Sequence, residues 1–308
     1  MLTILGPGQM KNITGATLEV VLPKLAEALL MFAPEYWGQV DRFRQFWSVT
    51  YTFNERDQRA ISGVQSHYEK CLVLVALARK LQPNLQIDEA QLEEKGATPA
   101  VNAREVATVL EAAILELFSS VDCTVKVLRA IYGPGTRAFK DSTRGLFQNI
   151  SKMTGTFPDV LKPLFESAPW FWKLLHLRDE LTHLATGHVH LKRDTGSVEY
   201  MHLGLKQDDK PLIIEDIFGW LQEMMTAVNN FLGLVFHHLN GTLADKPVFQ
   251  ICGMVHGRAL YRLVSPVGEL TFNSGSCGAW VWFEKPENPT CPFKDNCGAY
   301  RNKAGMPG

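Results

Sequence analysis

Apolar residues recur every three to four positions through most of this chain, the spacing that gathers them on one side of a helix. That pattern predicts a helix over residues 17–33 and an aromatic-rich piece over 35–48. Asn54 is placed to cap a long helix to about Leu81, with Ile61, Val64, Tyr68, Cys71, Leu72, Val75 and Ala78 on its apolar side. Pro83 and Asn84 end it, and residues 83–100, polar and holding Gly96 and Pro99, read as a connector. A longer helix is predicted from about Asn102 to Tyr132, through Val106, Leu110, Ala113, Leu117, Val121, Val125 and Leu128, stopped by Gly133-Pro134-Gly135. Asp141 or Ser142 opens a shorter helix to about Lys152. Another follows Phe157-Pro158 and ends near Gly187. The period then falls to two. Val189 and Leu191, then Val198, Tyr200 and His202, predict two strands around Asp194-Thr195-Gly196. A last long helix runs from about Ile214 to Leu239, with a seam of Ile217, Leu221, Met224, Val228, Phe231 and Val235. Beyond Asn240-Gly241 glycine, proline and β-formers dominate, and strands are expected at 248–255, 259–264 and 279–283.

The expected molecule is therefore mainly α. It has an N-terminal helical region (1–96), an up-and-down helical bundle with an inserted β-hairpin near 188–205 (97–243), and a small β-rich tail holding cysteines (244–308). A hydrophobic share of 46% supports a real core. The formal charge of −1 excludes a globally basic nucleic-acid binder, but it is a cancellation. Residues 86–122 hold two basic and eight acidic residues, whereas 133–193 hold nine basic and five acidic ones. No apolar run approaches the roughly 18 residues of a membrane span. The first residues lack a basic n-region and a long apolar h-region. The expectation is a cytoplasmic protein without a membrane partner.

The chemistry concentrates on one predicted helix. Its apolar seam reads Trp170, Leu174, Leu177, Leu181 and Leu184, with Arg178 on the flank. Trp172, His176, Asp179 and His183 form a second stripe on the side opposite the core, an unusual set for a solvated face. Asp179 and His183 are i, i+4 neighbours, and a carboxylate there fixes an imidazole tautomer for acid–base work. Arg178 adds a planar donor fork suited to phosphate.

Arg178-Asp179-Glu180-Leu181-Thr182-His183 resembles the R-x4-6-H motif of the HEPN superfamily (higher eukaryotes and prokaryotes nucleotide-binding). Of all the arginines, only Arg178 has a histidine at that spacing. A long helix with Asp122 in its second half precedes the motif helix, a shorter helix intervenes, and another long helix closes the set. The resemblance covers about residues 97–243. It implies a metal-independent endoribonuclease without a cofactor, acting on RNA as a homodimer with one composite cleft. Attack by a ribose 2′-OH would leave a 2′,3′-cyclic phosphate. It also implies His183 as the acid–base residue, Arg178 on the phosphoryl charge and Asp179 orienting His183. Arg137, Lys140 and Arg144 are candidates for the RNA backbone, and Trp172 and His176 line the substrate face. A toxin or phage-defence role, with an antitoxin or other regulator, is the family's extension. The alternative is a catalytically silent module of the same fold that binds a nucleotide or a protein through the same stripe.

Other chemistries are weaker. Cys252, Cys277, Cys291 and Cys297 cluster late in the chain, and the pair Cys291–Cys297 has C-x5-C spacing. They read as free thiols, with a four-thiolate zinc site as the alternative. Cys71 and Cys123 read as small buried hydrophobes. Glu180-x-x-His183 lacks the second pair a di-iron bundle needs. His183, His188, His190 and His202 read as polar positions rather than metal ligands. His237-His238 reads as a complement to a helix C-terminus. No GxGxxG, GK[ST] or GxSxG motif is present.

Overall fold

A computed structural model describes residues 28–30, 32–137, 139, 142–207 and 209–302. Its contacts divide the chain into a continuous unit, Phe53–Val235, and a discontinuous one that joins Met1–Thr52 to Phe236–Gly308. The described residues are mainly helical.

The discontinuous unit begins with strand β1 (Ala28–Leu30), paired antiparallel to residues 253–255. This corrects the helix expected over 17–33. Ala-Leu-Leu satisfies either pattern, and backbone pairing to a distant strand decides it. Residues 17–27 and 31 lie outside the described residues. Helix α1 (Gln39–Phe46) then buries Phe43 and Phe46.

The continuous unit opens with α2 (Glu55–Leu81), where the Asn54 side chain accepts from the Asp57 N–H at 3.0 Å. Its buried positions Ile61, Val64, Tyr68, Cys71, Val75 and Ala78 form the expected stripe. The expected connector contains a helix, α3 (Leu85–Lys95), which Gly96 ends in the left-handed region at φ 70°. What holds α3 is the buried Asp88. It accepts from Asn102 Nδ2 at 2.7 Å and from the Ala103 N–H at 2.8 Å, and so caps the next helix from outside it. That helix, α4 (Val101–Tyr132), is buried on most of its circumference, as a helix at the centre of a unit must be.

Strand β2 (Thr136–Arg137) pairs with β3 (Thr154–Gly155) around α5 (Thr143–Asn149), whose cap is Ser142. Helices α6 (Lys162–Glu166) and α7 (Pro169–His183) follow. Strands β4 (His188–Leu191), β5 (Val198–Gln207) and β6 (Lys210–Ile214) form an antiparallel sheet in that order. The third strand was hidden because Ile213 and Ile214 prolong the seam of the next helix, α8 (Ile217–Gly241). Asp216 separates the two by accepting from the Phe218 N–H. The core of the unit is aromatic. Phe147 and Phe171 stack at 3.5 Å, with Phe165 edge-on to Phe147 at 4.8 Å.

In the discontinuous unit, Phe236 on the last turns of α8 packs edge-on against Phe43 at 5.5 Å. Strands β7 (Val248–Val255), β8 (Arg258–Val264) and β9 (Ser276–Cys277) complete a sheet in the order β1-β7-β8-β9. The strand expected at 279–283 is a helical turn, α9 (Trp280–Phe283). Its β-forming residues instead bury Phe283 against Val255 and Leu260. A final turn, α10 (Gly298–Arg301), follows Cys297. No helix among the described residues is long and apolar enough to cross a membrane.

Candidate functional site

Helix α7 buries Phe171, Leu174, Leu175 and Leu177. The buried side is thus rotated from the expected seam: Leu184 lies past the helix end and is 79% exposed, and Trp170 and Leu181 are half-buried. Stacking of Phe171 on Phe147 and Phe118 draws that side inward. The polar stripe remains outward, with His176 and His183 exposed and Trp172 half-buried, its ring 5.1 Å from Phe171.

Arg178 lies over the Phe118 ring of α4 at 4.6 Å, which holds its guanidinium in place. Its Nη1 donates to Asp179 Oδ1 at 2.7 Å, and Arg144 Nη2 on α5 donates to Asp179 Oδ2 at 2.7 Å. One carboxylate therefore clamps two guanidinium groups. Beside them, Asp122 accepts from the Thr143 hydroxyl at 2.5 Å and pairs with Lys126 at 2.7 Å. Burial pushes the Asp122 carboxyl up. Hydrogen bonds from Lys126 and Thr143 and the charges of Lys126 and Arg178 outweigh it, and the pKa falls below the ordinary value. Three helices thus bring together three cations, Lys126, Arg144 and Arg178, against two carboxylates, Asp122 and Asp179.

His183 makes no hydrogen bond or ion pair among the described residues, and the Asp179 oxygens are turned to arginines rather than to it. Arg137 is exposed on β2, and Lys140 lies outside the described residues. Glu116, one conceivable partner for Arg178, is engaged elsewhere, by His67 Nδ1 at 2.6 Å and by Lys70. Sequence reasoning missed Lys126 and Thr143. The i, i+4 pair Asp122–Lys126 was a readable signal; Thr143 offered none.

The histidines of the hairpin do not gather. His202 is fully buried on β5. Its Nδ1 accepts from the Leu205 N–H at 3.2 Å and its Nε2–H donates to the Ala185 carbonyl at 2.9 Å. Both ring nitrogens are used, so it is no free ligand, and it is not the solvent-facing position the sequence pattern implies. His190 lies 3.5 Å from Glu89. A buried carboxylate, Glu111, anchors the same hairpin by accepting from the Gly187 N–H at 2.6 Å and the Tyr200 hydroxyl at 2.9 Å. Burial and the Glu111 charge push the Tyr200 hydroxyl pKa far up.

All four late cysteines line one cavity of about 30 Å³ in the discontinuous unit. Burial raises the thiol pKa of Cys252 and Cys277, and raises that of Cys291 to about 11. Among the described residues no three His, Cys, Asp or Glu side chains are placed to hold a single metal ion, so the one-zinc arrangement does not form as drawn.

Against protein-family models, curated proteins and solved structures, the chain finds no match. The chemistry of the α7 cluster therefore stands on its own geometry. Two fixed guanidinium groups offer a fork for a phosphate, and an unencumbered imidazole on the next turn can carry a proton.

Proposed function

We propose that the chain is a HEPN-type ribonuclease that cleaves RNA as a dimer. The carrying observation is the Arg144–Asp179–Arg178 clamp beside an exposed His183. The order of α4, α5, α7 and α8, with the motif on the third, supports the same reading. Four residues separate Arg178 from His183, five steps of the helix or about 7.5 Å along its axis.

In the reaction the ribose 2′-oxygen bonds to phosphorus while the bond from phosphorus to the 5′-oxygen breaks. One imidazole takes the 2′-proton and the imidazole of the second copy protonates the leaving 5′-oxygen. The clamped guanidinium groups neutralise charge on the phosphoryl oxygens as it builds. The products are a 2′,3′-cyclic phosphate and a 5′-hydroxyl.

Purified protein with a chelator should cut RNA. His183→Ala and Arg178→Lys should each lower cutting by about 10²-fold or more at unchanged melting temperature. Cutting that survives both changes would falsify the reading.

A second reading has its own support. Asp179 is spent on two arginines rather than on His183, which suits a module that binds a nucleotide phosphate or an acidic protein without cleaving. It predicts binding that Trp172→Ala weakens, and no cut product. A toxin or phage-defence role, with a regulator over the stripe, follows only from the first reading.

A further inference from the structure

A second group of cations lies further along α4. Arg56, in the first turn of α2, and Lys126 and Arg129, near the end of α4, line an open cleft of about 250 Å³. Asn54, Asp57 and Ala130 complete its walls. Three cations therefore face one carboxylate, and Arg56 makes no hydrogen bond or ion pair among the described residues. The charge comes from these side chains; at the helix start, the Asp57 N–H is already taken by Asn54. A cleft lined mainly by one sign of charge concentrates ligands of the other sign.

The cleft is continuous with the α7 cluster. Asp122, Lys126 and Arg129 fall at i, i+4 and i+7 of α4, on one side of the helix, over about 10 Å of its axis. Asp122 pairs with Lys126 at 2.7 Å and accepts from Thr143 of α5, the helix that carries Arg144. From the Arg144–Asp179–Arg178 clamp a row of cations thus runs through Lys126 to Arg129 and, across the cleft, to Arg56. Apart from Ala130 the walls are polar or charged, so a small apolar ligand, which needs an enclosed and largely apolar pocket, gains little there. One water needs roughly 10–15 Å³ on the same scale, so the space takes a phosphate group with part of its sugar. A polyanionic strand matches the sign of the whole row, and each phosphate neutralised releases counterions.

We propose that this cleft holds an RNA backbone phosphate remote from the bond that is cut, bound by Arg56, Lys126 and Arg129. The proposal rests on the ribonuclease reading for the place of the cut, and it names the substrate class. The substrate is a strand long enough to reach both the clamp and the cleft, rather than a dinucleotide or a free nucleotide. Phosphate contacts fix the register of a strand and carry no sequence information, so the cleft adds affinity without choosing bases. Every residue named lies in the continuous unit.

The test uses the full chain. Binding is read by fluorescence anisotropy with a labelled 2′-O-methyl RNA of about twelve nucleotides, which has no 2′-hydroxyl to attack. Arg56→Gln and Arg129→Gln should each weaken binding about fivefold and make it less sensitive to salt. Arg59→Gln removes the same charge one turn along α2, outside the cleft, and should do neither. In cleavage, the preference in kcat/KM for an unmodified strand of that length over a dinucleoside monophosphate should fall about fivefold in the two cleft variants and hold in Arg59→Gln. Melting temperature checks folding, and Arg56 is exposed, so its change leaves the core untouched. A chain that cuts RNA while binding and length preference ignore Arg56 and Arg129, or respond equally to Arg59, overturns the cleft and leaves the ribonuclease reading standing. A chain that cuts nothing, yet loses binding in the cleft variants alone, overturns the ribonuclease reading and supports the cleft as a strand-binding site. A chain that neither cuts nor binds overturns both.

Discussion

Glu111 ties three pieces of the continuous unit through one oxygen, joining α4 to the Gly187 amide and the Tyr200 ring of β5. Tyr200→Phe removes one bond and leaves the other, so it should cost about 1–2 kcal/mol in urea unfolding. Gly187→Ala should cost at least as much, because a Cβ there would run into the Tyr200 ring. Asp122 acts through pH. Its folded pKa lies below the ordinary value, so it stabilises fully above about pH 4 and loses that contribution as pH falls through the folded value. Asp122→Asn should therefore flatten the acid limb of a stability–pH curve, read as melting temperature from pH 7 down to 3. The bonds that Glu111 makes to Gly187 and Tyr200 were not readable from the sequence. A buried carboxylate and a surface one look alike until the elements around them are placed.

Among the elements, α2, α4 and α8 were legible because each carries a long apolar stripe, and length averages out local ambiguity. Helix α3 was not, because its support is Asp88 bonding forward to Asn102 and Ala103, a tertiary cap with no sequence signature. Asp88→Ala should cost about 1–2 kcal/mol and fray the start of α4, visible as faster amide exchange at Ala103. The rotation of α7 has a similar origin. Periodicity put Trp170 and Leu184 on the seam and left Phe171 off it, whereas the stack on Phe147 fixes which side turns in. The polar stripe survived that rotation because it lies far enough round the helix. The arginine–histidine spacing was legible; the pairing of Asp179 with Arg144 was not, since it depends on where α5 comes to rest.

At the scale of the whole molecule, the acidic stretch 86–122 and the basic stretch 133–193 meet through neighbouring helices in one unit. Asp122 on α4 stands beside the Arg178 charge of α7, and the balance of −1 is resolved locally rather than spread out. The long helix α2 belongs to the same contact unit as the motif helix, although the sequence places a polar stretch between them. The ribonuclease reading requires two copies, so light scattering at micromolar concentration should give a mass near twice 34.5 kDa. A clean monomer would count against a shared cleft.

The pairing of β1 with β7 has a consequence for synthesis. A ribosome completes residues 53–235 as one uninterrupted stretch, and their contacts are all available once α8 has emerged. Residues 28–30 must wait for their partners at 253–255, and the sheet closes only when β9 at Ser276–Cys277 has been made. Strand β1, made before the whole of the continuous unit, is thus secured only after it, a long-range closure that forms slowly. A fragment spanning 53–241 should fold cooperatively alone. Residues 236–308 alone should not, because they lack β1 and the Phe43 ring that meets Phe236. For a nascent chain, β1 is a waiting strand, open to chaperones and proteases until β7 arrives.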